Sequence, residues 1–362
     1  MTLDAGGTNF VFSAIRGNRQ IVDPIERPSH SSDLDRCLET LLEGFSEVKK
    51  RLSAEPSAIS FAFPGPADYQ KGIIGDLPNF EAFKDGVAMG PMLEDHFKLP
   101  VFIDNDGNLF AYGEALSGYL PALNRRLGDA QSIKTFRNLI GITLGTGFGC
   151  GIVVDRELLS GDNSCGAEIH NTLNKNHPEW NAEESVSTRA IQRVYAEASG
   201  LSFNAGLMPR DIYQIARGEK EGDPGAALES FRQYGENLGS SIANVLCLID
   251  GIVVLGGGIT AAWDLFAPSM FTELNRNYEN FRGIASPRLS FRCYNLEDES
   301  AFPEFAAGGV KKLTVPGSER IVQYDNLPRT GVGKSSLGAS LATSLGAYAI
   351  ALRYLSKSAA SR

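Results

Sequence analysis

Three glycine turns in this sequence carry residue types that can hold a chain of phosphates. They are Asp4-Ala5-Gly6-Gly7-Thr8-Asn9, Gly145-Thr146-Gly147-Phe148-Gly149 and Gly256-Gly257-Gly258. Glycine lets backbone N–H groups approach an anion with no Cβ in the way. Thr8 and Thr146 add hydroxyl donors, and the Asp4 carboxylate could hold Mg²⁺ directly or through water. Any one of these segments is equally what a tight turn looks like; it is their number that points to phosphate. None is a dinucleotide fingerprint, because no G-x-G-x-x-G opens a helix. Gly333-Lys334-Ser335 has the ending of a P-loop, but Pro328 stands where the first glycine belongs, so Lys334 reads as an exposed loop lysine.

A second group can move a proton. Asp106 lies in Asp104-Asn105-Asp106-Gly107-Asn108, where a strand gives way to a helix. A carboxylate there can take the proton of an alcohol as its oxygen attacks phosphorus. The same residues also suit a plain helix cap, and Asp104 competes for the role. Glu114, two helical turns on, reads as a solvated helix charge. A third group, Glu168-Ile169-His170-Asn171 with Glu183-Glu184, has the carboxylates and amides that pair with sugar hydroxyls, although acidic loop residues are also commonly just solvated.

The elements that would position these groups form two α/β halves. In the first, strands over 10–15, 58–63 and 100–103 alternate with an amphipathic helix over 34–52 and a helix from Asp106 to about Ser117. In the second, strands over 139–144 and 148–154 flank a glycine hairpin. Helices follow over 188–198 and 224–248, with a buried-type strand over 252–255 and a last helix over 336–355. Strand, glycine turn and helix recur in both halves, which predicts a duplicated nucleotide-binding core with a cleft between domains. The expected domains are 1–106, joined by the last helix at about 340–362, and 107–339. Residues 299–335, with weak periodicity and several Gly and Pro, read as an irregular insertion.

Composition narrows the class. The chain has 362 residues, 43% of them hydrophobic and 21% charged, with 34 Lys+Arg against 43 Asp+Glu for a formal net charge of -9. An acidic protein is not expected to bind nucleic acid. No apolar run reaches the ~18–20 residues of a membrane span, and the N-terminal residues lack a signal-peptide pattern. A cytoplasmic protein with no membrane partner is expected. The five cysteines form no C-x-x-C pair, and the four histidines show no zinc spacing, so no disulfide framework or protein-held metal is predicted.

The order and spacing of these pieces resemble the ROK family of sugar kinases, within the actin, Hsp70 and hexokinase ATPase fold. The similar segments are LDAGGTNF near residue 4, FAFPGPAD near 64, LPNF at 77–80, IDNDGNLFAYGEA at 103–115, ITLGTGFGCGIVV at 142–154, GAEIHN at 166–171, EESVSTRAI at 183–191 and IDGIVVLGGGI at 249–259. They span nearly the whole chain in the family's order.

The resemblance implies a two-domain α/β fold and ATP-dependent phosphorylation of a hexose, most simply at its 6-hydroxyl. Asp106 matches the catalytic base and Asn105 its sugar-binding neighbour. Gly6, Gly7 and Thr8 match the first phosphate loop, with Asp4 as the Mg²⁺-associated carboxylate; Gly145, Thr146 and Gly147 match the second. Gly256 and Gly257 match the segment beside adenosine. Gly65 and Asn79 sit in motifs lining the sugar pocket, Glu168 and Glu183 match sugar-contacting glutamates, and Asn171 occupies a histidine position. Many members carry E-I-G-H and a cysteine cluster that bind structural zinc; here His170 falls one place early and Lys175 to Ala182 contains no cysteine, so no zinc site is expected. A dimer or tetramer is implied. The family also contains sugar-sensing repressors and suggests phosphotransferases using polyphosphate, which are the alternative readings.

Overall fold

The computed structural model describes residues 1–6, 8–75, 77 and 83–360, except the side chains of 358–360. In chain order the first elements are β1 (Thr2–Ala5), β2 (Asn9–Arg16), β3 (Arg19–Pro28), α1 (Leu34–Arg51), β4 (Ile59–Ala62), β5 (Ala67–Asp68), β6 (Ile73–Ile74), α2 (Met89–Phe97), β7 (Val101–Asp104) and α3 (Asp106–Leu116). Next come α4 (Tyr119–Asp129), β8 (Leu139–Leu144), β9 (Phe148–Val154), β10 (Glu157–Leu158), α5 (Thr188–Ser199), α6 (Pro209–Ala216), α7 (Pro224–Leu246), β11 (Ile252–Gly256) and α8 (Trp263–Leu274). The chain continues through β12 (Asn277–Glu279), β13 (Ala285–Pro287), β14 (Arg292–Asn295), α9 (Phe302–Ala307), β15 (Val310–Thr314), β16 (Ile321–Asp325), β17 (Arg329–Lys334) and α10 (Ala339–Ala360).

Two compact units result. The first comprises Met1–Gly118, Gly151–Ala167 and Leu337–Arg362; the second comprises Tyr119–Cys150 and Glu168–Ser336. The sequence pattern predicts a boundary after Asp106, whereas the first unit runs to Gly118. The reason is α3. Its residues Gly107 to Ala115 are all buried, and it packs along α10 within the first unit. Two glycines make that approach possible. A Cβ at Gly113 would strike the carbonyl of Ala342, and one at Gly346 the carbonyl of Leu109. Glu114 is therefore fully buried rather than a solvated charge.

The first unit is built on β1, β2 and β3 in antiparallel order and on β4 parallel to β7. Ser60 N–H donates to Met1 O at 3.0 Å, and the Met1 amino group to Ala58 O at 2.8 Å, which ties the start of β1 to β4. Apolar spacing in α1 buries Cys37, Leu41, Phe45 and Val48, while Asp33 caps its first turn through Arg36 N–H. The core is aromatic. Phe10, Phe12, Phe45, Phe61 and Phe63 are fully buried, with edge-to-face pairs such as Phe12–Phe45 at 5.2 Å.

The second unit repeats the plan. β8 forms a hairpin with the first residues of β9, β8 runs parallel to β11, β11 to β17 and β17 to β14. β8 and β11 are near-continuous apolar runs, as parallel strands covered on both faces commonly are. Residues 299–335 are not an irregular insertion. They hold α9, an exposed hairpin of β15 and β16, and β17, an inner strand of the sheet. Gly331 and Gly333, with buried Arg329 and Thr330, hide β17 from hydropathy; Arg329 donates to Phe305 O and pairs with Asp325, each at 2.5 Å, and Thr330 Oγ1 donates to Gly251 O at 2.5 Å. Lys334 ends that strand and is no loop residue: its Nζ lies 3.6 Å from Glu297 Oε2. All five cysteines are free thiols, and among the described residues no helix is long and apolar enough to cross a membrane.

Candidate active site

In the first unit, the parallel pairing of β7 with β4 ends at Asp104, and the chain turns directly into α3. Asn105 is the cap. Its backbone is extended, and its Oδ1 accepts the Gly107 N–H at 2.8 Å. The two competing aspartates differ in exposure. Asp104 Oδ1 accepts from Asn105 N–H and from Asn108 Nδ2, each at 2.8 Å. Burial pushes its carboxyl above the ordinary range, against those two hydrogen bonds. Asp104 thus fixes the turn. Asp106, the first helical residue, is exposed, and its Oδ1 also accepts the Gly107 N–H at 2.9 Å.

Asp4 and the first glycine turn belong to the same unit. Asp4 pairs with Val11 across β1 and β2, and its exposed carboxylate accepts Ser340 Oγ at 2.6 Å. Gly6 N–H donates to Asn9 O at 3.0 Å, closing the turn, and Thr8 is exposed. Gly65 follows β4, next to Tyr69, whose hydroxyl donates to Phe63 O at 2.9 Å. Gly7 and Asn79 lie outside the described residues.

In the second unit the other two glycine turns share one end of the sheet. Gly256 is in register with Thr143, and β8 and β11 both end there. The carboxyl ends of parallel strands are where α/β sheets hold ligands. Gly257 has φ of 93°, and a Cβ there would strike Leu144 O, so only glycine fits. In the 145–147 turn, Gly145 N–H donates to Gly147 O at 3.2 Å, while Thr146 and Gly147 are exposed.

Glu183 is bound to this turn: its Oε2 accepts the Phe148 N–H at 3.0 Å and its Oε1 accepts from Arg189 at 2.8 Å. Sequence reading missed Thr188, Arg189 and Ser340. Thr188 and Arg189 stand inside a quoted motif; the Thr188 contact with Gly145, 43 positions away, leaves no local trace, whereas Arg189 meets Glu183 and Glu184 only six and five residues back. Glu168 is exposed and lies 2.9 Å from His170 Nδ1, which raises the imidazole above its usual range. Asn171 is exposed beside them. The stretch after it is ordered by polar contacts. Asn174, 2% exposed, donates to Asn181 O and Ser185 Oγ, and Lys175 Nζ lies between Glu236 at 2.5 Å and Glu273 at 3.0 Å. Among the described residues no group of three or more His, Cys, Asp or Glu is arranged to hold a metal ion.

Comparison with known proteins adds the family. The sequence profile of the ROK family matches residues 1–287. The chain belongs to the ROK family. It is 27% identical over 330 residues to a glucokinase of Halalkalibacterium halodurans, covering 82% of this chain and 91% of that one. The crystal structure of a glucokinase from Parabacteroides distasonis is 50% identical, covers 97% of this chain and 96% of that one, and superposes with a TM-score of 0.89. A ROK family glucokinase from Streptomyces griseus, solved with glucose and AMPPNP, shares the fold at 19% identity and a TM-score of 0.62 over 97% of this chain and 98% of that one. The ROK chain described here is a sugar kinase with the two-domain, mixed α/β, actin-like ATPase fold.

Proposed function

We propose that this ROK kinase transfers the γ-phosphoryl group of ATP to the 6-hydroxyl of a hexose, glucose or a close analogue such as an N-acetylated hexosamine, with Asp106 as general base. The observation that carries the proposal is the division of labour between two neighbouring aspartates: Asp104 is spent on the turn, whereas Asp106 stands exposed at the head of α3. In this reading Asp106 accepts the hydroxyl proton as the sugar oxygen bonds to phosphorus and the β,γ-bridging bond breaks, releasing ADP. Asn105, Gly65, Asn79, Glu168, Asn171 and Glu183 serve the sugar. Gly6, Gly7, Thr8, Gly145, Thr146 and Gly147 serve the phosphates, and Gly256 and Gly257 the adenosine.

Asp4 fits a Mg²⁺ role. It is exposed, at a strand end, and accepts a hydroxyl hydrogen bond as an anion does. Bound with the nucleotide, the ion would neutralise phosphate charge. The reading carries a cytoplasmic setting, where ATP is at hand, and a homo-oligomer.

A coupled ADP-release assay over a hexose panel, N-acetylated sugars included, tests the proposal. Sugar-dependent ADP release with one preferred hexose is expected. ADP release that no sugar stimulates defeats it, and phosphorylation from polyphosphate alone reassigns the donor.

A further inference from the structure

The segment that carries Glu183 grips the second glycine turn at both ends. At one end Glu183 Oε2 accepts the Phe148 N–H at 3.0 Å. At the other, the Thr188 N–H and Oγ1 both donate to Gly145 O, at 2.9 and 3.1 Å. The turn closes on itself through Gly145 N–H and Gly147 O. Two amides are left: those of Thr146 and Gly147, both exposed, donate to no group among the described residues. Two successive exposed amides in a turn, with hydrogen bonds on either side, can receive an anion.

A carboxylate beside an anion site needs a reason and a counter-charge. Arg189 supplies the counter-charge, donating to Glu183 Oε1 at 2.8 Å and to Glu184 through three contacts of 2.6 to 3.1 Å. The guanidinium fork locks the side of Glu183 away from the turn and leaves the other oxygen to the Phe148 N–H. Gly147 leaves room for this. A Cβ there would come within 3.0 Å of Glu183 Oε2. The resemblance gives Glu183 only a sugar to hold; the geometry gives it a second task.

We infer that Glu183 is a positioning residue for the nucleotide phosphates: through the Phe148 N–H, and with Thr188 at the opposite end, it sets the Thr146 and Gly147 amides that receive them. The inference rests on the reading of 145–147 as a phosphate loop. It also makes Glu183 a link between the two substrates, since a sugar hydroxyl drawing on this carboxylate would act on the same turn. Coupling of this kind is reciprocal.

The decisive measurement leaves the sugar out. A non-hydrolysable ATP analogue with Mg²⁺ is titrated calorimetrically into the full chain and its variants with no sugar present. Glu183→Ala is expected to weaken binding roughly tenfold, the scale of a lost hydrogen bond to a charged group. Glu183→Gln keeps an acceptor for the Phe148 N–H and is expected to recover affinity to within about threefold of wild type. Lys220→Ala, which breaks a surface pair with Asp211, serves as the unaffected control. Thr188→Val removes one of two bonds at the far end and should weaken binding about threefold, which gives an independent reading should Glu183→Ala not fold. If Glu183→Ala and Thr188→Val both bind as wild type does while sugar-dependent ADP release persists in the wild type, Glu183 serves the sugar alone and the inference is overturned. A wild-type protein that binds no ATP analogue overturns the kinase reading, and this inference with it.

Discussion

The first and second units open on the same local device and support it differently. In each, a strand runs into a glycine turn with a threonine and returns as the partner of a hairpin, β1 to β2 in one and β8 to β9 in the other. The first turn is closed by its own backbone, Gly6 N–H to Asn9 O, and has a carboxylate two residues upstream, Asp4, tied to Ser340. The second has Thr143 at the corresponding place and is gripped from outside by Glu183 and Thr188. The same turn is thus held in two ways: one unit carries Asp4 beside it, and in the other Glu183 and Thr188, 35 and 43 residues along the chain from their partners, bond to it.

That contrast can be broken. The largest effect is expected from Asp106→Asn, which should leave sugar affinity unchanged and lower kcat by ~10²–10⁴-fold, the usual worth of a general base. Near-normal turnover would move the base elsewhere and remove the chemical distinction between the halves. Asn105→Ala takes the cap from the same helix, at about 1 kcal/mol. A melting temperature lower by a few degrees, together with a weaker sugar KM, is expected; an unchanged melting curve would mean that the cap does not hold α3. Ser340→Ala removes one hydrogen bond to Asp4 and should raise the Mg²⁺ concentration for half-maximal activity by roughly threefold, with sugar KM unmoved. A shift in sugar KM instead would tie Asp4 to the wrong substrate.

The smallest effect concerns pH in the second unit. Glu168 raises His170, so the protonated pair is favoured in the folded protein. Its contribution is complete below the ordinary histidine value of about 6.5 and is lost as pH rises through the raised one. A modest rise of sugar KM over that window is expected, absent in His170→Gln; identical profiles would take the pair out of the site.

Legibility in the sequence followed the range of the interactions. The β8–β9 hairpin and the helix from Asp106 are set by neighbours along the chain, and the spacing found them. Spacing alone does not separate Asp104 from Asp106, because both suit a helix start; in the structure Asp104 is half-buried and bonded into the turn, and Asp106 is exposed. Glu114 looked like a surface charge because hydropathy weighs residues singly, whereas α3 is enclosed on every side. β17 is hidden by glycines and by Arg329 and Thr330, polar residues buried against the carbonyls of Phe305 and Gly251 in other segments. The Glu183–Phe148 bond spans 35 residues, and no local pattern announces it.

The way α3 lies against α10 has a consequence for biosynthesis. The helix bearing the proposed base cannot be buried until residues 339–360 have left the ribosome, by which point every residue of the second unit has already been made. The amide-bearing half is therefore free to mature while the chain is still being translated, and the half with Asp106 waits for its far end. A nascent chain stalled before residue 339 would carry α3 with the face that α10 covers still open.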